Sequence, residues 1–140
     1  MKRRFMDLAA CPMCKNFPLE LYIVEEKRYP EREPQIKELL EKHNPPLCEI
    51  YCYMQGLPVG VKIEEITEKT PCDKCLSIEV VTGVMYCSNC GRWYPIIEEI
   101  PRMLPDNLRN KDEDIKFLRQ YRDSLPDKVV KKGKPWGLEH

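Results

Sequence analysis

Eight cysteines arranged in four close pairs constrain what this 140-residue chain can fold into. Two thiolates at such spacing can bind one side of a tetrahedral metal ion, and a second pair completes the coordination. Soft thiolate ligands in this geometry select zinc or iron, and zinc is our first expectation. The chain therefore carries enough thiols for two sites of four cysteines each. The pairs are Cys11-x2-Cys14, Cys48-x3-Cys52, Cys72-x2-Cys75 and Cys87-x2-Cys90.

The four pairs can combine into two sites in three ways, and their spacing favours a nested arrangement. The central pairs at 48–52 and 72–75 lie near the usual ribbon spacing of CxxC, about 15 to 20 residues, CxxC. They would form a possible second site, and Cys11, Cys14, Cys87 and Cys90 would form the first. A local combination of the pairs at 72–75 and 87–90 stays open, as do iron in place of zinc and disulfides or free thiols in the central set.

The charge balance and the hydropathy exclude some classes of function. Lys plus Arg equals Asp plus Glu at 23 each, which argues against a protein whose main role is neutralising nucleic-acid phosphates. No apolar run approaches the roughly 20 residues that cross a bilayer. We therefore expect a cytoplasmic protein without a membrane partner, in a compartment where thiols remain reduced.

The pattern along the chain predicts an α+β fold with a zinc-ribbon β domain, an inserted central region and a C-terminal helix. Residues 1–24 and 77–125 would form the ribbon, with residues 25–76 inserted between them. Residues 126–140 would form a loose tail, in which Leu138-Glu139-His140 is similar to a truncated expression tag.

Apolar periodicity predicts the individual elements. Leu19, Leu21 and Ile23 alternate with polar residues as in a half-buried strand, and a short helix places Ile36 and Leu39 on one face. Acidic residues at 112–114 favour the first turn of a later helix, within 106–125. The remaining predicted elements are strands at 59–66, 78–81, 84–86 and 92–97, with a turn at Thr82-Gly83.

No arrangement of residues in the sequence predicts a self-sufficient active site. His43 is the one histidine before the terminal residue, and there is no glycine-rich phosphate loop. A zinc ion held by four cysteines has no open coordination position for water, so it is structural rather than catalytic. We therefore expect no catalytic residues.

A segment rich in aromatic and aliphatic side chains follows the last cysteine pair and predicts a protein-binding surface. A small metal-stapled domain cannot bury so many large side chains, and exposed apolar patches mark protein partners. The alternative is that individual members belong to the core. The candidate partner-binding residues are Trp93, Tyr94, Ile96, Ile97, Ile100, Pro101, Met103 and Leu104, with Phe5 and Leu8 as an extension.

Three motifs together resemble a known family. They are Cys11-Pro12-x-Cys14, the run from Gly83 to Ile96 (GVMYCSNCGRWYPI) and Ile100-Pro101-x-Met103-Leu104-Pro105. This combination is similar to the small zinc-binding activator subunit of class I S-adenosylmethionine-dependent methyltransferases, in its archaeal form. The resemblance covers about residues 1–24 and 77–125.

The resemblance implies both an architecture and a function. The flanking cysteine motifs would share one zinc ion in a ribbon, with a mostly helical central domain inserted. Such subunits lack catalysis of their own, bind a methyltransferase as a heterodimer partly through strand addition, and stabilise its active form. The partner enzymes modify tRNA, rRNA or a translation release factor, so nucleic acid is met only through the partner. The family usually has Gly where this chain has Glu99.

Two other functions remain as alternatives. A zinc-ribbon RNA-binding protein could use Lys131, Lys132, Lys134 and Trp136. A rubredoxin-like electron carrier would hold iron with the same thiolates.

Overall fold

The computed structural model describes residues 1–43, 47–54, 57–58 and 71–139, and it has the expected α+β composition. Its strands are β1 (Glu20–Arg28), β2 (Tyr51–Cys52), β3 (Leu57–Pro58), β4 (Ile78–Tyr86), β5 (Trp93–Ile97) and β6 (Ile100–Pro101). Its α-helices are α1 (Glu33–Lys42), α2 (Cys72–Ser77), α3 (Lys111–Gln120) and α4 (Asp127–Val130). Short 3-10 helices cover Arg3–Asp7, Pro30–Arg32, Asp106–Leu108 and Arg122–Ser124. The predicted strand at 59–66 lies outside the described residues.

The chain divides into two compact units. Unit 1 contains residues 1–9 and 26–80, and unit 2 contains residues 10–25 and 81–140. The sequence analysis placed residues 1–9 in the ribbon domain and residues 126–140 in a separate tail. By their contacts, residues 1–9 belong to unit 1 and residues 126–140 to unit 2.

A four-stranded sheet with the order β1-β4-β5-β6 carries the metal-binding part of the chain. Strand β4 pairs antiparallel with β5, and Gly83 lies opposite Ile96 in the register. The predicted turn at Thr82-Gly83 is therefore wrong, because β4 runs without interruption through these two buried residues. A Thr-Gly pair marks a turn only by local preference, and pairing with β5 overrides it.

The core of unit 2 forms where α3 packs against the sheet. Val84 and Trp93 are fully buried against Phe117 and Leu118 of the helix. The rings of Trp93 and Phe117 stack with centroids 5.9 Å apart. At its start, α3 is capped by Asn110, whose side-chain oxygen accepts a hydrogen bond from the Glu113 N–H at 3.1 Å. The helix predicted in this region is confirmed over Lys111–Gln120.

The residues after 126 are packed rather than loose, which corrects the sequence-based expectation. Val129 and Val130 of α4 belong to the core of unit 2 and are almost fully buried. The Trp136 indole N–H donates to the carboxylate of Asp114 at 3.0 Å. Apolar side chains shortly after Pro126 therefore anchor this segment. The basic composition of the segment did not indicate this packing.

Strand β5 is an inner strand of the sheet rather than an edge strand. Its second side is covered by β6 at Ile96 and Ile97, and by the Arg102 N–H, which donates to the Pro95 carbonyl at 2.9 Å. The Trp93 N–H donates to the Lys134 carbonyl at 3.1 Å. The chain's own later residues thus occupy the hydrogen-bonding groups along β5.

The hairpin between β5 and β6 turns through two residues with positive φ. Ile97 pairs with Ile100, and the turn residues Glu98 and Glu99 have φ values of 50° and 68°. Such two-residue turns favour Asn and Gly, because a side chain in the left-handed region costs about 1 to 2 kcal/mol. The position at which the family usually has Gly therefore does need the left-handed conformation.

Unit 1 is organised by two buried carboxylates. Glu79 accepts hydrogen bonds from Lys2 at 2.7 Å and from Arg32 at 2.9 Å. Asp7 accepts hydrogen bonds from the backbone N–H groups of residues 49–51, each at 2.8 Å. Burial by itself raises the pKa of Asp7, but these three hydrogen bonds and the charge of Arg4 outweigh it and leave the pKa below its usual value.

Candidate metal centre

The first cysteine pair of unit 2 lies on a tight turn before β1. The Lys15 N–H donates to the Cys11 carbonyl at 2.8 Å, and the Cys11 N–H donates to the Asn16 carbonyl at 2.9 Å. Lys15 adopts φ 67°, a conformation that a lysine rarely takes. The turn presents the sulfurs of Cys11 and Cys14 on one side.

The second pair lies on an equivalent turn between β4 and β5. The Gly91 N–H donates to the Cys87 carbonyl at 2.8 Å, and the Cys87 N–H donates to the Arg92 carbonyl at 2.8 Å. Gly91 has φ 78°, so it takes the place that Lys15 has in the first turn. Both turns therefore have a left-handed residue directly after their second cysteine.

The two turns bring four sulfur atoms together. The sulfurs of Cys11, Cys14, Cys87 and Cys90 all lie within 4.8 Å of one another. Cys11 Sγ is 3.7 Å from Cys90 Sγ, and Cys14 Sγ is 3.5 Å from Cys87 Sγ. A tetrahedral zinc ion with Zn–S bonds of about 2.3 Å separates its ligands by about 3.8 Å. The donor set and its spacing thus fit a metal ion with four thiolate ligands, which closes the coordination sphere and supplies cross-linking rather than reactivity.

Neighbouring donors stabilise negative charge on Cys14, one of the two partly buried ligands. The Asn89 amide donates to Cys14 Sγ at 3.4 Å, and with backbone N–H groups it lowers the pKa of Cys14 to about 6. Cys87 is buried, and burial raises the pKa of its thiol to about 12. A bound cation would favour the thiolate at all four positions, because coordination deprotonates a thiol outright.

Tyr94 supports the buried side of the centre. Its hydroxyl lies 3.1 Å from Cys11 Sγ, and burial followed by this hydrogen bond raises the pKa of the phenol, which keeps it protonated as a donor. Burial raises the pKa of Cys11, but Tyr94 and the backbone N–H groups outweigh it and lower the pKa. The sequence analysis assigned Tyr94 to a partner surface. Strand alternation could have indicated its position at the metal centre. Trp93 faces α3, so the next residue, Tyr94, faces the opposite side of β5.

The central cysteines are not gathered in the same way. Cys48, Cys52, Cys72 and Cys75 are free thiols that line one cavity of unit 1. Within the described part of the chain, the group formed by Cys11, Cys14, Cys87 and Cys90 is the only one whose three or more candidate ligand atoms lie within 4.8 Å of one another. The second predicted site therefore stays a prediction.

The predicted partner-binding residues fall into two groups by exposure. Trp93, Tyr94 and Ile96 are fully buried in this chain, so their role here is core packing. Ile100 is 59% exposed and Leu104 41% exposed, and in unit 1 Leu8 is 74% exposed. The residues that are partly buried are Phe5, Ile97, Pro101 and Met103. Leu108, which is 63% exposed, was missed by the sequence analysis because it follows the apolar run.

Comparison with known proteins identifies the family. The sequence profile of the Trm112p-like proteins matches residues 2–99. The chain belongs to the Trm112p-like family. The matched range contains the four ligands of the candidate metal centre, and it confirms the resemblance drawn from the motifs.

One solved structure similar to this Trm112p-like chain is that of the Mtq2–Trm112 complex of E. cuniculi, described as responsible for the methylation of the eRF1 translation termination factor. The identity is 19% and the TM-score 0.47, over 74% of this chain and 95% of that one. No curated protein matches the chain. Among the described residues no helix is both long and apolar enough to span a membrane.

Proposed function

We propose that this protein is a non-catalytic, zinc-binding subunit that binds, stabilises and activates class I S-adenosylmethionine-dependent methyltransferases acting on tRNA, rRNA or a translation release factor. The observation that carries the proposal is the match of residues 2–99 to the Trm112p-like family, over a range that includes both cysteine turns. The archaeal form of the family and a cytoplasmic location belong to the same proposal, since eight free thiols suit a reducing compartment.

The exposed apolar residues after β5 would form the partner surface in unit 2. Ile100, Leu104 and Leu108 stand on one short segment, and each is at least 41% exposed. Large apolar side chains that a protein leaves in water are typical of an interface core. Burying them against a methyltransferase would cover apolar surface on both proteins.

Strand addition would use β6, because β5 is already paired on both sides. In the sheet order, β6 is the last strand on that side, and it is only two residues long. An added strand from the enzyme would hydrogen-bond to the backbone of the segment from Ile100 onward. A subunit that binds only the folded enzyme then stabilises it by mass action.

No observation favours the RNA-binding alternative. The amine of Lys131 lies 3.4 Å from Asp127 and 3.8 Å from Glu139, so its charge is already partly balanced. The indole N–H of Trp136 is engaged by Asp114. The electron-carrier alternative depends on iron, and a purified protein without a visible chromophore would exclude it.

The direct test is reconstitution of an enzyme complex. We would co-purify the protein with methyltransferases from its own cells, then mix each purified enzyme with it and measure transfer of labelled methyl groups to tRNA, rRNA and release factor. The expected result is an equimolar, salt-resistant complex with higher activity than the enzyme alone. Binding to RNA that weakens steeply with salt, with no enzyme activated, would refute the proposal.

Matched variants test the surface. Ile100→Asp and Leu104→Asp should weaken the complex, because each buries a charge in the proposed interface. Leu39→Asp is the control, since Leu39 of α1 is 42% exposed and Leu104 is 41% exposed. If Ile100→Asp and Leu104→Asp weaken the complex no more than Leu39→Asp does, the enzyme binds to another surface of the protein.

A further inference from the structure

A small cavity in unit 1 is surrounded by thiols. Three of its four cysteines are buried, and none forms a disulfide. Apolar side chains, including Leu47, Met54 and Leu76, form much of the remaining lining. The four thiols come from two pairs that are 19 residues apart in sequence, counted between Cys52 and Cys72. The cysteines are Cys48, Cys52, Cys72 and Cys75.

The backbone on both sides of this cavity is held in place. On one side, the Asp7 carboxylate fixes the N–H groups of residues 49–51, which lie between Cys48 and Cys52. On the other side, Cys72 and Cys75 lie on α2, where the Cys75 N–H donates to the Pro71 carbonyl at 3.0 Å. Hydrogen bonds within unit 1 therefore hold the backbone at both pairs of cysteines.

Two cationic side chains belong to the residues that line the cavity. They are those of Arg3 and Arg4, and Arg3 also forms an ion pair with Glu26. A guanidinium group beside a thiol favours its thiolate form, which is the form that binds a metal ion.

One of these guanidinium groups has an unused donor. Arg3 Nη1 is buried and has no hydrogen-bond partner in the described part of the chain, although Arg3 Nη2 binds Glu26 at 2.6 Å. Buried N–H donors without a partner are rare in folded proteins, and each needs an explanation. A metal-bound thiolate accepts such hydrogen bonds, as donors around metal–sulfur sites commonly show.

We propose that Cys48, Cys52, Cys72 and Cys75 bind a second divalent metal ion, zinc by the preference of tetrahedral thiolate ligands, which cross-links unit 1. The sulfurs of these four cysteines are not gathered within 4.8 Å as those of the first centre are, so metal binding would bring them closer together. Because an ion with four thiolate ligands has no open position, the second ion is structural as well. This site goes beyond the proposed function, which depends only on the metal centre of unit 2.

Metal stoichiometry of the full chain tests the proposal directly. Protein purified with reductant and zinc would be measured by elemental analysis and native mass spectrometry, and we expect two zinc ions per chain. Replacement by Co²⁺ should give a thiolate charge-transfer absorption about twice that of a single tetrathiolate centre. One ion per chain, with four thiols that react with a thiol reagent equally fast with and without zinc, would overturn the proposal.

Paired variants assign each ion. Cys72→Ser/Cys75→Ser should retain one ion, and Cys87→Ser/Cys90→Ser should retain the other. If a double variant does not fold, the stoichiometry and the cobalt spectrum of the unaltered chain still decide the question. A chain mass lower by the hydrogens of one or two disulfides, found with one zinc ion, would show that the central cysteines cross-link to each other and would also overturn the proposal.

Discussion

The indole N–H of Trp93 donates a hydrogen bond to the backbone carbonyl of Trp136 at 3.0 Å. On the face of the same indole, the guanidinium of Arg109 lies 4.4 Å from the ring centroid. Asp114 joins the group, because it accepts hydrogen bonds from Arg109 at 2.9 Å and from Trp136 at 3.0 Å. The final residues thus complete the environment of the largest buried side chain in unit 2.

Gly133→Ala should destabilise unit 2. A Cβ atom at this position would lie 2.6 Å from Trp93 Cδ1 and closer still to the Val129 carbonyl oxygen, so the backbone must shift. Overpacking of this kind costs about 1 to 3 kcal/mol. Chemical denaturation followed by tryptophan fluorescence would measure the loss. Lys132→Ala at the exposed neighbouring position is the control, and an equal stability of both variants would contradict the packing described for this segment.

Glu99→Gly should stabilise the protein by about 1 kcal/mol. Glu99 has φ 68° in the β5–β6 turn, and glycine removes the cost of a side chain in that region. Thermal unfolding would measure the gain. Glu113→Gly in the first turn of α3 should instead lower stability by about 1 kcal/mol, because glycine is unfavourable in a helix. A stability loss with Glu99→Gly would mean that contacts of the Glu99 side chain outweigh its backbone cost.

Asp7→Asn should destabilise unit 1 by about 1 to 3 kcal/mol, because the carboxylate holds three backbone N–H groups. The pKa of Asp7 is lowered in the folded state, so its contribution is fully present above the unfolded-state pKa near 3.8 and is lost as the pH falls from there towards the folded-state pKa. The stability difference between wild type and variant should therefore shrink below about pH 4.

Hydrogen exchange of the amides of residues 49–51 would localise the effect of Asp7→Asn. Asp123→Asn is the control, since the side chain of Asp123 is 98% exposed. A difference between wild type and Asp7→Asn that stays constant through acid pH would show that the carboxylate charge is not what stabilises this loop.

Cys87→Ser should abolish metal binding at the centre of unit 2. Without the metal, unit 2 should no longer fold and should show no cooperative unfolding transition. Structural zinc contributes about 10 kcal/mol or more to the folding of small zinc domains, so its loss exceeds the stability of a typical domain. Metal analysis together with circular dichroism melting would show both effects. Ser88→Ala at the exposed adjacent position should leave the metal content and the melting temperature unchanged.

Tyr94→Phe should weaken metal binding by about 10- to 100-fold while the fold is retained, because the phenol donates to the ligand Cys11 at 3.1 Å. Competition with a chelator of known affinity would measure the change. Tyr22→Phe removes a tyrosine hydroxyl that binds Glu20 instead of a cysteine, and it should not alter the metal affinity. A Tyr94→Phe variant that binds zinc as tightly as wild type would show that Tyr94 has only a packing role.

The sequence predicted the parts of the fold that depend on local geometry. The cysteine spacing favoured the ligand set Cys11, Cys14, Cys87 and Cys90, whose sulfurs lie together in the structure. Strand alternation predicted β1, and the acidic first turn predicted α3. The signals for β1 and α3 each lie within a few neighbouring residues, which is why they can be recognised without the tertiary structure.

The errors concern contacts between residues far apart in the chain. Thr82-Gly83 has the composition of a turn, but pairing with β5 keeps it in a strand. The sequence analysis assigned Trp93 and Tyr94 to a partner-binding surface. In the structure, Trp93 is covered by α3 and by residues near Trp136, and Tyr94 contacts Cys11. Composition alone could not reveal these partners, because tertiary packing decides which apolar residues stay exposed.

The metal centre of unit 2 joins Cys14 to Cys87, which are separated by 73 positions in the chain. At a synthesis rate of about 5 to 20 residues per second, the first turn leaves the ribosome roughly 4 to 15 seconds before the second. All four central cysteines emerge in that interval. During this interval Cys11 and Cys14 lack their partner ligands, while other thiols of the same chain are already available to a metal ion. The centre of unit 2 can therefore bind its metal ion with all four ligands only after the last pair of cysteines has emerged.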